Sequence, residues 1–206
     1  MHPAIHLKNG MNKTGPMDPK KQILDRIRSI RQAPKPYPPQ AIESQETDLV
    51  EAFTGMVKLS GSTLLRFEDQ QTMIDEFVKA GHPVNEWVST WDPLISMGAS
   101  EAGKFTDARK VISCAVLPGK FGVAENGAVW VPEEAMGQRT IPFLAEHLIL
   151  IVHAKDLVAT MHQVYAVNQP GNYGLFIAGP SKTADIEQHL VLGAQGPLAH
   201  TVILLG

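Results

Sequence analysis

Two stretches of this sequence place reactive side chains beside glycines that let the backbone come close to a ligand. In Phe121-Gly122-Val123-Ala124-Glu125-Asn126-Gly127-Ala128-Val129-Trp130-Val131, one carboxylate stands among small apolar residues directly before Asn-Gly. Asn-Gly is a strong local signal for a tight turn with positive φ. A glutamate at the end of an apolar strand is expected to lose part of its hydration, which suits a nucleophile or a base. The plainer reading is a hairpin turn with Glu125 facing water, and the pattern by itself leans to it.

The second stretch is Gly174-Leu175-Phe176-Ile177-Ala178-Gly179-Pro180-Ser181-Lys182-Thr183-Ala184-Asp185-Ile186-Glu187. It reads as a buried strand running through Gly-Pro-Ser-Lys-Thr into a helix. Free amides at a helix N-terminus, the hydroxyls of Ser181 and Thr183, the Lys182 charge and the Gly179 turn would form an anion site there. In open α/β sheets ligands gather at the ends of strands where such turns occur. The plainer alternative is a capped helix, with Asp185 and Glu187 favourable to its dipole. Downstream, Gly193-Ala194-Gln195-Gly196-Pro197 makes a tight turn whose amides would complete the same pocket or simply stop the helix.

Other chemistries find less support. There is no Gly-x-Gly-x-x-Gly, and the P-loop near-match of Gly98, Gly103 and Lys104 has Phe105 where a magnesium-binding hydroxyl is needed. His147 and His153, six residues apart on an apolar run, would stand about 20 Å apart on a strand and cannot share an ion. His82, His162, His189 and His200 show no ligand spacing, no Gly-x-Ser-x-Gly elbow is present, and Cys114 lies inside an apolar run as a packing thiol.

Composition bounds the class. The chain has 206 residues, 44% hydrophobic and 19% charged, with a single cysteine that can close no internal disulfide and hold no iron–sulfur cluster alone. The expectation is a reducing, cytoplasmic setting, with no signal peptide and no membrane span. Residues 1–40 carry eight Lys/Arg against two Asp, a net of +6, which leaves −9 for the rest of a chain whose total is −3. Without aromatic interleaving or a groove-reading motif, this basic arm does not point to nucleic acid. It reads as an arm that packs on its acidic body or on a second copy.

The elements that must position these residues alternate. Asp18-Pro19 starts a helix with Ile23, Ile27 and Ile30 at helical spacing, and four prolines within 33–39 mark a linker. The expected organisation is an arm, helix and Pro-rich linker over 1–41, and one body over 42–206. In the body, helices are expected at 44–59, 68–80, 155–167 and 183–192. Strands are expected at 63–67, near 86–88, at 111–117, over 121–131 with an interruption, at 148–152, 175–178 and 201–205. Continuous β-branched runs between amphipathic helices predict an α/β class with a mixed, mainly parallel sheet and helices on both faces.

The closing segment from Gly179 to Glu187, followed by Leu190-Val191, Gly193-Ala194, Gly196-Pro197 and Val202 to Leu205, resembles the signature of the LUD-domain family, in its lactate-utilisation protein C branch. Glu125 with Gly127, then Arg139, Pro142 and His147, agree in spacing, and the likeness covers about residues 45–206. The chain departs from the family pattern at Asn126, Ala128 and Gln195. The resemblance implies a fold of the type shared by sugar-phosphate isomerases and coenzyme A transferases. It also implies a part in oxidising L-lactate to pyruvate, beside partner proteins that carry the iron–sulfur clusters. On that reading this chain has no intrinsic cofactor and binds a small anion through Asn126, Gly127, Gly179, Ser181, Lys182, Thr183, Asp185, Gly193 and Gly196. Glu125-Asn126-Gly127 is also similar to the Glu-Asn-Gly active-site turn of coenzyme A transferases, which keeps open a second reading: an enzyme using Glu125 as its catalytic group.

Overall fold

The computed structural model describes residues 18–30, 48–105, 111–167, 173–183 and 191–206. The chain forms two units, residues 1–43 and 44–206. In the first, helix α1 (Pro19–Ser29) begins where proline's fixed φ suits the first turn, and the Asp18 carboxylate accepts from the Lys20 N–H at 3.0 Å.

The second unit contains α2 (Leu49–Leu59), β1 (Thr63–Phe67), α3 (Gln70–Lys79), β2 (Val88–Ser89), α4 (Asp92–Ser96), β3 (Ser100–Glu101) and β4 (Ile112–Pro118). It continues with β5 (Phe121–Val123), β6 (Ala128–Pro132), α5 (Glu133–Met136), α6 (Ile141–Leu144), β7 (Ala145–His153), β8 (Leu157–Val158) and α7 (Met161–Val167). The last elements are β9 (Gly174–Ile177), β10 (Lys182–Thr183), β11 (Val191–Leu192) and β12 (Ala199–Leu205). Six strands pair in the order β1-β12-β7-β4-β2-β3, every pair parallel. The mainly parallel α/β class expected from the sequence is therefore what forms.

The central strands are apolar on both sides because both sides are covered. Leu148, Leu150 and Val152 of β7 join Val202 and Leu204 of β12 in a core with Phe53 and Val57 of α2. Ile149 and Ile151 join Ile203 and Leu205 in a second core with Met73 and Phe77 of α3. This is the pattern of a parallel sheet with no solvated face. Cys114 sits in the second core, and burial pushes its thiol up to about 12, which makes it an inert packing group.

The first face is covered by more than helices. A four-stranded sheet in the order β8-β5-β6-β9 lies over it, with β5–β6 and β6–β9 antiparallel. The hairpin at Asn126-Gly127 forms as the sequence suggests: Gly127 takes φ +69, and Asn126 Oδ1 accepts from the Ala128 N–H at 3.0 Å. A Cβ at Gly127 would lie 2.7 Å from the backbone N of Val57, so the hairpin needs glycine both for its conformation and for its approach to α2.

Three expected elements differ. The 155–167 segment is a 3₁₀ turn at Ala154–Asp156, then β8, and only then α7, because Leu157 and Val158 pair with Gly122 and Val123 of β5. The strand at 175–178 is a half-buried edge of the small sheet, since Leu175 to Ile177 pair antiparallel with Val129 to Val131. No helix starts at Thr183: Lys182 and Thr183 pair antiparallel with Leu192 and Val191, and residues 184–190, with Asp185, lie outside the described residues. No helix among the described residues is long and apolar enough to cross a membrane.

Two outcomes follow. Gly127→Ala should cost roughly 1–3 kcal/mol in denaturant unfolding, from strain at positive φ and a clash with backbone that cannot move aside. Cys114 should resist a thiol reagent in the native protein and react fully in denaturant, as ultraviolet titration would read.

Candidate functional site

The closing motif folds as a clasp at the N-terminal ends of the main-sheet strands. Ser181 holds it together: its N–H donates to Pro197 O at 2.9 Å, its C=O accepts from Gly193 N at 3.0 Å, and its Oγ accepts from Gln195 N at 3.3 Å. Gly193 takes φ +73, and a Cβ at Gly196 would meet the Ser181 side chain at 3.3 Å. Ser181, Gly193 and Gly196 are thus brought together as the sequence suggested. Two amides of the 193–197 turn bind Ser181 itself.

Lys182 serves a different end of the chain from the one expected. Its Nζ donates to the Ser60 carbonyl at 2.5 Å, at the C-terminal cap of α2, where a cation is favoured by the helix dipole. An ammonium has three donors, so capacity for two more bonds remains. Gly179, at φ +117, packs against the same Ser60, and a Cβ there would lie 3.0 Å from its carbonyl oxygen. Thr183 is half-buried in β10 opposite Val191.

The clasp borders a cleft of about 300 Å³ lined by Pro142, Phe143, Leu148, Phe176, Ile177, Ala178, Gly179, Ser181, Lys182, Gln195, Gly196 and Pro197. Its size and its mix of apolar walls with a few polar groups suit a small organic molecule. It opens at the start of β7, whereas the sequence placed the pocket beyond a strand's C-terminal end. The reason is topological: β9 belongs to the small mixed sheet, where it pairs antiparallel with β6, so its end does not coincide with the C-terminal edge of the parallel one.

Glu125 is exposed, as the plainer hairpin reading has it and not partly desolvated as a nucleophile or base would be. Its own N–H donates to Ala159 O at 3.0 Å and its Oε1 accepts from Met161 N at 2.7 Å, so the carboxylate anchors the first turn of α7. Asn126 is spent on the turn and Gly127 on α2. Arg139 pairs with Glu133 at 2.7 Å and lies 4.3 Å from the Tyr173 ring centroid. His147 Nε2 lies 2.9 Å from Thr201 Oγ1, and burial, then His82, lowers its pKa.

A polar relay went unread in the sequence. Ser60 Oγ donates to Val57 O at 2.7 Å, which makes it the acceptor for the Ser62 hydroxyl at 2.9 Å; Ser62 Oγ in turn faces His200 Nδ1 at 2.8 Å. This order assigns the proton to Nδ1 and leaves Nε2 as an acceptor, buried and without a partner among the described residues. His200 is 3% exposed, and burial, followed by the neighbouring His147, pushes it down to about 4. It sits across from Leu148 of the cleft wall in the β12–β7 register. Ser-Gly-Ser between a helix and a strand was the available signal, but its partner lies 138 residues away. Among the described residues, no group of three His, Cys, Asp or Glu is placed to hold a metal ion.

A parallel sheet with a small mixed sheet on one face and a Ser181 clasp at its base defines the class: an α/β domain closed by its C-terminal motif. Residues 112–205 match the model of the LUD domain, and the resemblance drawn from the sequence is borne out. The lactate utilization protein C of Geobacillus sp. (strain WCH70) is 28% identical over 181 residues, 81% of this chain and 72% of that protein. The protein of the same name from Geobacillus thermodenitrificans is 29% identical over 59% of this chain and 54% of its own length, and the one from Shouchella clausii is 32% identical over 57% and 52%. The alignments thus span between about half and three quarters of these relatives. A DUF162 family protein from Deinococcus radiodurans, solved by crystallography, superposes with a TM-score of 0.60 at 13% identity, over 80% of this chain and 100% of that one, which shows the fold.

The pH dependence of stability follows from His200. A neutral buried imidazole that titrates near 4, against 6.5 when unfolded, stabilises the fold fully above 6.5. As pH falls from 6.5 toward 4, the unfolded state binds a proton the native state refuses, and roughly 3 kcal/mol is lost. His147, lowered as well, acts in the same direction. Urea unfolding at steps from pH 7.5 to 4 should show this slope, and His200→Asn should flatten it.

Proposed function

We propose that this chain takes part in L-lactate utilisation as a cluster-free subunit that binds a small anionic molecule in the cleft beside Ser181 and Lys182. The observation that carries the reading is the clasp itself: the segment most like the LUD signature is the one that folds around the cleft, with Ser181 holding the 193–197 turn. The names of the relatives supply the metabolic setting.

In that setting, oxidising L-lactate to pyruvate removes two electrons and two protons, and the electrons pass to iron–sulfur clusters. Clusters need several thiolates. This chain has one cysteine, buried and held neutral, so the clusters belong to partner proteins and the contribution of this chain is recognition. Ser181 and Gln195 offer hydrogen bonds, Lys182 adds charge, and Phe143 and Phe176 wall off water. Glu125 is exposed and its carboxylate is bound to the start of α7, which sets the stand-alone enzyme reading second.

A thermal-shift titration of the purified chain with L-lactate, phosphate, a sugar phosphate and acetyl coenzyme A tests this. A bound ligand at 100 times its Kd stabilises the native state by about 2.7 kcal/mol. L-lactate or phosphate should raise Tm, and Ser181→Ala should abolish the rise. Stabilisation by acetyl coenzyme A alone, lost in Glu125→Gln, would favour the enzyme reading instead. Deleting the gene should impair growth on L-lactate and spare other carbon sources; normal growth on lactate in a strain without another lactate oxidase would contradict the proposal.

A further inference from the structure

The cleft beside Ser181 and Lys182 does not end at Gln195. A second depression of about 460 Å³ adjoins it at the starts of β4, β7 and β12, and the two have Phe143, Gln195 and Gly196 in common. One turn, 193–197, therefore shapes both. Ser181 fastens it, and Gly193, at φ +73, lets Leu198 pack against it, since a Cβ at Gly193 would collide with the Leu198 side chain.

The two halves differ in chemistry. The cleft has the polar groups, Ser181 and Lys182. The outer half is rimmed by Val111, Phe143 and Leu198, which are 68%, 50% and 54% exposed, and among the described residues the charge on its wall is the Glu146 carboxylate. Large apolar side chains exposed together beside polar groups mark a binding surface. A carboxylate is drawn to Lys182 and kept off the outer half by Glu146, so a ligand lying across both halves has its anionic end in the cleft and its apolar end on Val111 and Leu198. L-lactate is too short to do this. Its six non-hydrogen atoms each take less than the roughly 30 Å³ of a water molecule, and together they leave much of the cleft of about 300 Å³ unfilled.

We propose that the preferred ligand of this site is a 2-hydroxy monocarboxylic acid whose apolar side chain is longer than the methyl group of lactate. Its head lies beside Ser181 and Lys182, and its chain runs past Phe143, the wall common to both halves, onto Val111 and Leu198. This rests on the reading of the cleft as an anion site and adds to it the side chain that the anion carries. Glu146 at the far end disfavours a second carboxylate, so a dicarboxylic acid of the same length is rejected.

Isothermal titration calorimetry on the full chain tests it, with L-lactate, 2-hydroxybutanoate, 2-hydroxyhexanoate, 2-hydroxyoctanoate and the dicarboxylate 2-hydroxyadipate. Each added methylene should lower Kd about two- to fourfold, the upper figure being full burial. Val111→Glu and Leu198→Ser, both outside the cleft, should flatten the series and leave the Kd for L-lactate unchanged, with native circular dichroism. A Kd that stays level from L-lactate to 2-hydroxyoctanoate overturns the proposal and leaves the anion site standing. A gain with chain length that both variants retain, or binding of 2-hydroxyadipate as tight as that of 2-hydroxyhexanoate, does the same. If none of the five acids binds at millimolar concentration, the anion reading of the cleft falls, and this proposal falls with it.

Discussion

The last turn of α2 is the point on which the body is assembled. Its carbonyl at Ser60 receives the Lys182 ammonium, its Ser60 hydroxyl starts the relay to Ser62 and His200, and the glycines of two distant turns close on it. Gly127 approaches Met56 and Val57, and Gly179 approaches Ser60. A helix C-terminus leaves carbonyls in need of donors, and here a lysine from a segment 122 residues away supplies one. Strands β6 and β9 pair antiparallel, so fixing both glycines on one helix also fixes how the small sheet lies over the large one.

That constraint explains the placement of the cleft. With Gly179 and Lys182 held at the end of α2, the following residues must turn beside the beginnings of β7 and β12, and Ser181 fastens the 193–197 turn there. The result is a pocket with walls from both sheets and a floor at Leu148, backed in the strand register by a neutral histidine. The charge at the site comes from Lys182 with part of its hydrogen-bonding capacity committed, which suits a small anion that brings hydroxyl or carboxylate groups of its own.

How far the sequence foretold this differs between elements for physical reasons. The central strands were legible because Cys114 to Leu117, Leu148 to Val152 and Thr201 to Leu205 are apolar or β-branched without alternation, the mark of burial on two faces. The Asn126-Gly127 hairpin was legible from its turn chemistry. The 155–167 segment misled because Leu157 and Val158 fit either period, and a two-residue pairing with β5 decided it. Thr183 read as a helix cap, yet it pairs antiparallel with Val191, a residue near the far end of the segment expected to be that helix. At the site, the Ser181, Gly193 and Gly196 grouping was visible as a motif. The commitment of Lys182 to Ser60 and the His200 relay were not, since both depend on contacts more than 100 residues apart in the chain.

On the proposed reading, the cleft at the N-terminal end of the sheet is where a small anion is recognised. Amide chemical shifts of the isotope-labelled chain during titration with L-lactate test that most directly. Shifts that saturate and concentrate on Gly179, Ser181 and Gly193 to Gly196 are the predicted result. Saturating shifts at the opposite end of the sheet, at Gly119 to Phe121, with the clasp residues unmoved, would contradict it.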